Sequence, residues 1–226
     1  MSMIVLDGEQ GDIESCLTYV QGLGIDKQAR LLDIGCRHGS LLANLRQLGH
    51  TDLVGVDISA DAVERGRAAY PDLADRLHVY DGGALPLPPH SVDVVTMFDV
   101  IEHIPDPERY LRGVRQVLKP DGLFIFQTPN ILVDVPYWIL ALRLFNREKL
   151  AWLFREHCSL QTYHGLRRLL RRAGFRDVRV EKNRSDTAFK MRYVEKTLGR
   201  PGVLILKASE HFPMILYPNF WGSARA

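Results

Sequence analysis

Cysteine is scarce in this chain: Cys16, Cys36 and Cys158 stand far apart and form no C-x-x-C pair. That spacing argues against a disulfide framework and against a zinc site, and it points to a reducing, cytoplasmic setting. Long apolar runs are missing too. The most apolar stretch, residues 135–142, closes at Arg143 and is too short to span a bilayer. No basic region followed by an apolar run opens the chain, so no secretory signal is expected. Repeats and low-complexity segments are absent. Net charge is close to nil, at +2, but it is unevenly spread. Acids concentrate in the first 140 residues, and arginine is dense between Arg143 and Lys207. That density has two readings, an anionic partner or a solvated helix face.

What is present is a regular alternation. Buried-strand runs fall at Leu31–Ile34, Leu53–Asp57, Leu77–Tyr80, Val92–Phe98 and Leu123–Thr128. Helical patterns lie between them at Leu41–Leu48, Ala60–Ala69 and Pro107–Leu118. Strand and helix in strict alternation with short links predict a parallel sheet with helices on both faces. Lys119-Pro120-Asp121-Gly122 reads as a helix stop and turn. Beyond Asn130 the pattern changes, and residues 131–157 read as a helical insertion or lid rich in aromatics. A helix at Leu160–Arg172 and a strand at Val178–Glu181 follow. The tail predicts helices at Met191–Leu198 and Val203–His211 and a last strand at Phe220–Arg225. At 226 residues the whole is expected to be one domain.

The segment Leu31-Leu32-Asp33-Ile34-Gly35-Cys36-Arg37-His38-Gly39-Ser40 carries the most chemistry. A short strand breaks at Gly35 and restarts as a helix near Ser40, so glycines and free N–H groups face a ligand. Asp57 ends the next strand, where an acid can take the two hydroxyls of a ribose. Asp81-Gly82 follows the third strand. Several acids at successive strand ends, with no lysine and no G-K-[ST], suit a ligand with hydroxyls, an amine and a positive charge rather than a pyrophosphate.

These residues resemble the class I S-adenosylmethionine-dependent methyltransferases. The stretches from Asp99 to Pro107, Val117 to Gly122 and Thr128 to Asn130 narrow the likeness to the small-molecule branch. That branch holds the ubiquinone-biosynthesis O-methyltransferases and methyltransferases of bacterial glycan and natural-product pathways. The resemblance implies an α/β fold with a Rossmann-like seven-stranded sheet, mostly parallel with its last strand antiparallel. It implies S-adenosyl-L-methionine as cofactor and a small-molecule acceptor, most simply a hydroxyl. Residue by residue, Gly35 and Gly39 would shape the loop under the methionine moiety, with Asp33 ordering it. Asp57 would hold the ribose, Ile58 would face the adenine, Asp81 would receive its amine, and Gly82 would allow close approach. The backbone at Phe98 would face the methionine amino group. The family's D-x-G-C-G-x-G loop has glycine where this chain has Arg37, which either points outward or meets the methionine carboxylate.

His103, after the fourth strand, and His157, before the Leu160 helix, are the candidate bases. A loop-fixing role for His103 and a capping role for His157 stand beside that reading; His164 reads as solvent-exposed. Asp99, Glu102 and His103 form a weaker alternative as a divalent-metal set, since spacing of three puts two carboxylates on one side of a turn. Tyr137, Trp138, Trp152 and Phe154 either line an apolar acceptor pocket or pack the insertion on the core or on a second copy in a homodimer. Two other functions fit less well: an RNA methyltransferase, disfavoured by the lack of an N-P-P-[YF] motif, and a non-catalytic cofactor-binding protein. Peripheral membrane contact through residues 136–154 and 212–221 is a further expectation.

Overall fold

The computed structural model describes residues 10–133, 147–182 and 213–226, together with residues 4, 135–136, 195–196, 199–200, 203–204, 207–208 and 211. Its elements are α1 (Gln10–Gly22), β1 (Leu31–Ile34), α2 (Ser40–Gln47), β2 (Leu53–Asp57), α3 (Ala60–Ala69), β3 (Leu77–Val79) and β4 (Val92–Phe98). They continue as α4 (Pro107–Val117), β5 (Leu118–Pro129), α5 (Arg147–Glu156), α6 (Tyr163–Arg172), β6 (Arg176–Glu181) and β7 (Asn219–Arg225). The strands form one seven-stranded sheet in the order β3-β2-β1-β4-β5-β7-β6. β1 to β5 run parallel, and β7 is antiparallel to both its neighbours. The expected sheet is therefore found, with its single reversed strand inserted between β5 and β6.

The central strands read as apolar runs because both their faces are covered. All of β1 is buried. On one face α4 and α6 deliver Leu111, Val114, Leu166 and Leu170 onto Val95, Phe124 and Phe126. On the other, α1 and α2 deliver Tyr19, Val20, Leu41 and Leu45 onto Leu31, Val94 and Ile125. Side-chain caps start the helices where the sequence supplies them. Ser59 accepts from Ala62 N–H at the head of α3, Asp106 from Arg109 N–H at α4, and Thr162 from Gly165 N–H at α6. The cap at Thr162 explains why α6 begins at Tyr163 and not at the predicted Leu160.

Two other elements differ from expectation. Lys119–Gly122 is not a simple turn but a bulge within β5: Val92 pairs with Leu118, and Val94 pairs next with Leu123. Asp121 sits there at φ 63°, and Lys119 Nζ closes on both Asp93 oxygens at 2.8 and 2.9 Å. Helix α1 has no counterpart in the sequence reading, because its amphipathic pattern is weak. Much of the predicted tail helices, Met191–Leu198 and Val203–His211, lies outside the described residues. No helix among the described residues is long and apolar enough to cross a membrane.

The order 3-2-1-4-5 reverses direction between β1 and β4, and there the carboxyl ends of the strands open a crevice. Helix α3 approaches the loop beside it through Gly66, where a Cβ would run into the backbone carbonyl of His38. Backbone cannot yield as a flexible side chain does. Gly66→Ala is expected to cost about 1–3 kcal/mol, read as a lower urea midpoint at unchanged m-value.

Candidate functional site

The crevice is floored by the turn from β1 into α2. Gly35, Arg37 and Gly39 all take positive φ, at 76°, 51° and 79°. A Cβ at Gly35 would collide with the Val100 side chain, and one at Gly39 would lie 2.8 Å from Leu77 Cδ2. Gly39 caps α2 without a side-chain bond, so the first turn of that helix presents N–H groups to the crevice. Arg37 stands in a left-handed conformation that favours glycine, which gives a backbone reason for the family's residue there. Its side chain is exposed, and its N–H donates to Asp57 Oδ2 at 2.8 Å.

Asp57 is the joint of this region. Its Oδ1 accepts from Ser59 N–H at 2.8 Å while Oδ2 holds Arg37, and each oxygen retains a lone pair for a further donor. Ile58, next to it, is 68% exposed and lies against the Gly82 position, 3.3 Å from where a Cβ would stand. Gly82 has φ 80°, and Asp81 Oδ1 closes an Asx turn on Gly83 N–H at 2.9 Å. An apolar face and two acids thus stand together beyond β2 and β3. Asp33 lies deeper, fully buried within β1, and accepts from Thr96 Oγ1 at 2.7 Å on the paired β4. Burial pushes its carboxyl up to about 7; the Thr96 bond opposes this and the nearby Asp57 charge adds to it.

At the end of β4 the ring of Phe98 packs on Trp221 with centroids 5.5 Å apart, and Trp221 packs in turn on Tyr19 of α1 at 5.2 Å. Asp99 takes φ 51° and accepts from Gln127 Nε2 at 2.8 Å. Glu102 is buried and accepts from Thr128 Oγ1 at 2.9 Å. Burial and then the charge of Asp99 push its carboxyl up to about 8. His103 bonds through Nδ1 to the carbonyl of Glu156 at 2.9 Å. A carbonyl only accepts, so Nδ1 carries a proton and, in the neutral ring, Nε2 holds the lone pair.

His157 brings its ring to 4.6 Å from that of His103, centroid to centroid. A carboxylate oxygen of Glu102 and one ring nitrogen from each histidine lie within 4.8 Å of one another. The metal set suggested by spacing therefore changes membership: His157, and not Asp99, completes this group. Two imidazoles with one carboxylate suit a borderline transition ion better than Mg²⁺, which favours oxygen ligands.

The sequence reading missed Thr96, Thr128 and the hydroxyl pair of Tyr80 and Tyr110, 2.7 Å apart. That pair ties the segment entering Asp81 to α4. Such partners carry no local motif and appear only once the strands are in register. Of the suggested aromatic lining, Trp152 and Phe154 are 49% and 43% exposed; Tyr137 and Trp138 lie outside the described residues. His164 is exposed, as read.

Comparison with known proteins agrees with the fold. A family model described as a methyltransferase domain matches residues 11–180. A ubiquinone biosynthesis O-methyltransferase of Neisseria meningitidis serogroup C is 34% identical over 120 residues, 50% of each chain. The chain thus spans about half the length of this curated relative. Among solved structures, an S-adenosylmethionine dependent methyltransferase from Mesorhizobium loti superposes with TM-score 0.65 at 22% identity, covering 95% of this chain and 100% of that one. Phosphoethanolamine N-methyltransferase 2 of Haemonchus contortus, in complex with S-adenosyl-L-methionine, gives TM-score 0.63 at 18% identity, covering 94% and 52%.

Asp33 makes stability depend on pH in a definite sense. Its folded value near 7 stands above the ordinary 3.8, so between these values the folded state holds a proton that the unfolded chain has released. Stability contributed here is therefore full at low pH and falls as pH rises toward 7. Urea titrations of wild type and Asp33→Asn should diverge over that window by roughly 4 kcal/mol, with the variant relatively more stable at high pH. Parallel curves would mean that the carboxyl ionises normally.

Proposed function

The chain belongs to the methyltransferase-domain family, and on that footing we propose that it binds S-adenosylmethionine in the β1–β4 crevice and methylates a hydroxyl of a small molecule. The observation that supports this reading is that the glycine turn, Asp57 and Asp81 stand at the carboxyl ends of β1, β2 and β3 and His103 just beyond β4, all at one end of the parallel sheet. The likeness to ubiquinone biosynthesis O-methyltransferases supports the choice of a hydroxyl.

In this reading Asp57 accepts from both ribose hydroxyls while keeping Arg37 and Ser59 in place. Asp81 receives the adenine amine, and Ile58 and Gly82 give the ring a flat apolar seat. The glycine turn and the backbone at Phe98 take the methionine end, with Asp33 beneath. The cofactor supplies a methyl group on a sulfonium, a good leaving group, so the protein's task is alignment and removal of one proton. His103 Nε2 takes that proton, and its Nδ1–H, fixed on the Glu156 carbonyl, keeps the ring in the required tautomer. His157 stands beside it as the second acceptor-side residue.

A second reading of the same groups is supported by the close approach of Glu102, His103 and His157: a bound transition ion that orients and acidifies the hydroxyl. EDTA treatment separates the two. Unchanged turnover leaves His103 as the base; loss of turnover restored by Mn²⁺ makes it a ligand.

Calorimetry with S-adenosylhomocysteine is the direct test of the cofactor site. Saturable binding is expected, weakened about 10- to 100-fold (roughly 1.4–2.7 kcal/mol) in Asp57→Ala; no binding at high micromolar ligand sinks the proposal. With labelled cofactor and a panel of phenols, catechols, alcohols and amines, transfer to a hydroxyl is expected. His103→Ala should lower that rate by on the order of 10²–10⁴ and leave S-adenosylhomocysteine affinity nearly unchanged.

A further inference from the structure

Helix α6 carries a basic stripe that the proposed reaction does not use. His164, Arg167, Arg168, Arg171 and Arg172 recur at helical spacing on the side opposite the buried Leu166 and Leu170. Among the described residues these five line an open surface groove of ≈ 390 Å³. Elsewhere three helical arginines are matched by acids one turn away, Arg65 with Asp61 at 3.9 Å, Arg67 with Glu64 at 2.6 Å, and Arg112 with Glu108, while Arg46 of α2 donates to the Thr51 carbonyl. On α6 no carboxylate of the described residues lies within ion-pair distance of the four arginines. Like charges at i, i+4 oppose helix formation. The helix dipole offsets that for Arg171 and Arg172 in the last turn, but not for Arg167 and Arg168 in the middle.

The groove is also partly pre-ordered. Arg167 Nη1 donates to the Tyr163 hydroxyl at 3.1 Å, and its guanidinium carbon stands 5.5 Å over the Tyr163 ring. His164 packs edge-on against the same ring, with centroids 5.1 Å apart. Arg167 Nε is buried and has no hydrogen-bond partner among the described residues. That Nε is closed off from solvent, so an anion in the groove would meet the Nη side of a guanidinium already held in place, in the geometry that suits phosphoryl oxygens.

We propose that this groove binds a diphosphate-class anion. The stripe is about 12 Å long, eight helical rises from His164 to Arg172. That length accommodates two adjoining phosphoryl groups and is short for a nucleic-acid strand, which needs several phosphates tracked in succession. Neither the cofactor site nor its chemistry is needed for this assignment.

The test is calorimetry of the full chain with sodium pyrophosphate at low salt, with ADP, sulfate and an oligouridylate as separate arms. One-to-one pyrophosphate binding is expected, at least tenfold tighter than sulfate and at least tenfold weaker in Arg168→Gln/Arg171→Gln. Both positions are exposed, and circular dichroism verifies that the variant is folded. ADP binding as tightly as pyrophosphate identifies a nucleotide as the source of the group; pyrophosphate binding alone identifies the free anion. No saturable binding, equal affinity in the folded double variant, equal affinity for sulfate, or binding by the oligouridylate alone overturns the assignment. S-adenosylhomocysteine titrated into the same samples reports the cofactor site separately, so failure there leaves this groove untouched.

Discussion

Asp57 holds two loops with one carboxylate. Its Oδ2 takes the N–H of Arg37 in the turn after β1, and its Oδ1 takes the N–H of Ser59, which caps α3. The turn needs such an anchor because Gly35, Arg37 and Gly39 sit at positive φ within five residues, a sequence of conformations with little intrinsic preference for one arrangement. Without the anchor the first N–H groups of α2 would have no fixed aim. The same carboxylate is the group placed for a ribose in the proposed function, so the residue that shapes the crevice is also the one that would fill it.

Two other carboxyls at the crevice are governed by burial. Asp33 beneath the turn and Glu102 at the end of β4 each accept from a threonine on a neighbouring strand, Thr96 and Thr128. In both, desolvation outweighs that hydrogen bond and lifts the carboxyl well above its ordinary range. Groups so held respond strongly to a cation placed beside them, because it offsets the cost that keeps them protonated. In the proposed function Asp33 lies under a cationic ligand, and cofactor binding is then linked to proton release.

Much of this was legible in the sequence, for identifiable reasons. A strand buried on both faces is an unbroken apolar run, so Leu31–Ile34, Leu53–Asp57 and Val92–Phe98 could be read with their bounds intact. The glycine turn and the acids after β2 and β3 follow directly from strand ends. What could not be read depends on contacts between distant segments. His157 meets His103 only because the chain returns across β4 after the residues that follow β5. The bulge at Lys119–Gly122 is held by Asp93, 26 residues earlier. Helix α1 draws its order from packing against α2 and from Tyr19, whose hydroxyl meets Glu181 Oε1 at 2.5 Å.

That returning segment makes the candidate base and its cover one unit. The Glu156 carbonyl at the end of α5 accepts from His103, and Ser159 N–H donates to the Glu102 carbonyl at 2.9 Å. Two bonds in opposite senses therefore stitch residues 156–159 onto residues 102–103. Moving α5 away would break the first bond and free the imidazole to change tautomer or rotate. In the proposed function, the segment that would border the acceptor also sets the proton-accepting nitrogen. A helix displaced by a poorly fitting acceptor would then disarm the base as well as misplace the substrate, so selectivity and proton transfer would share one hinge.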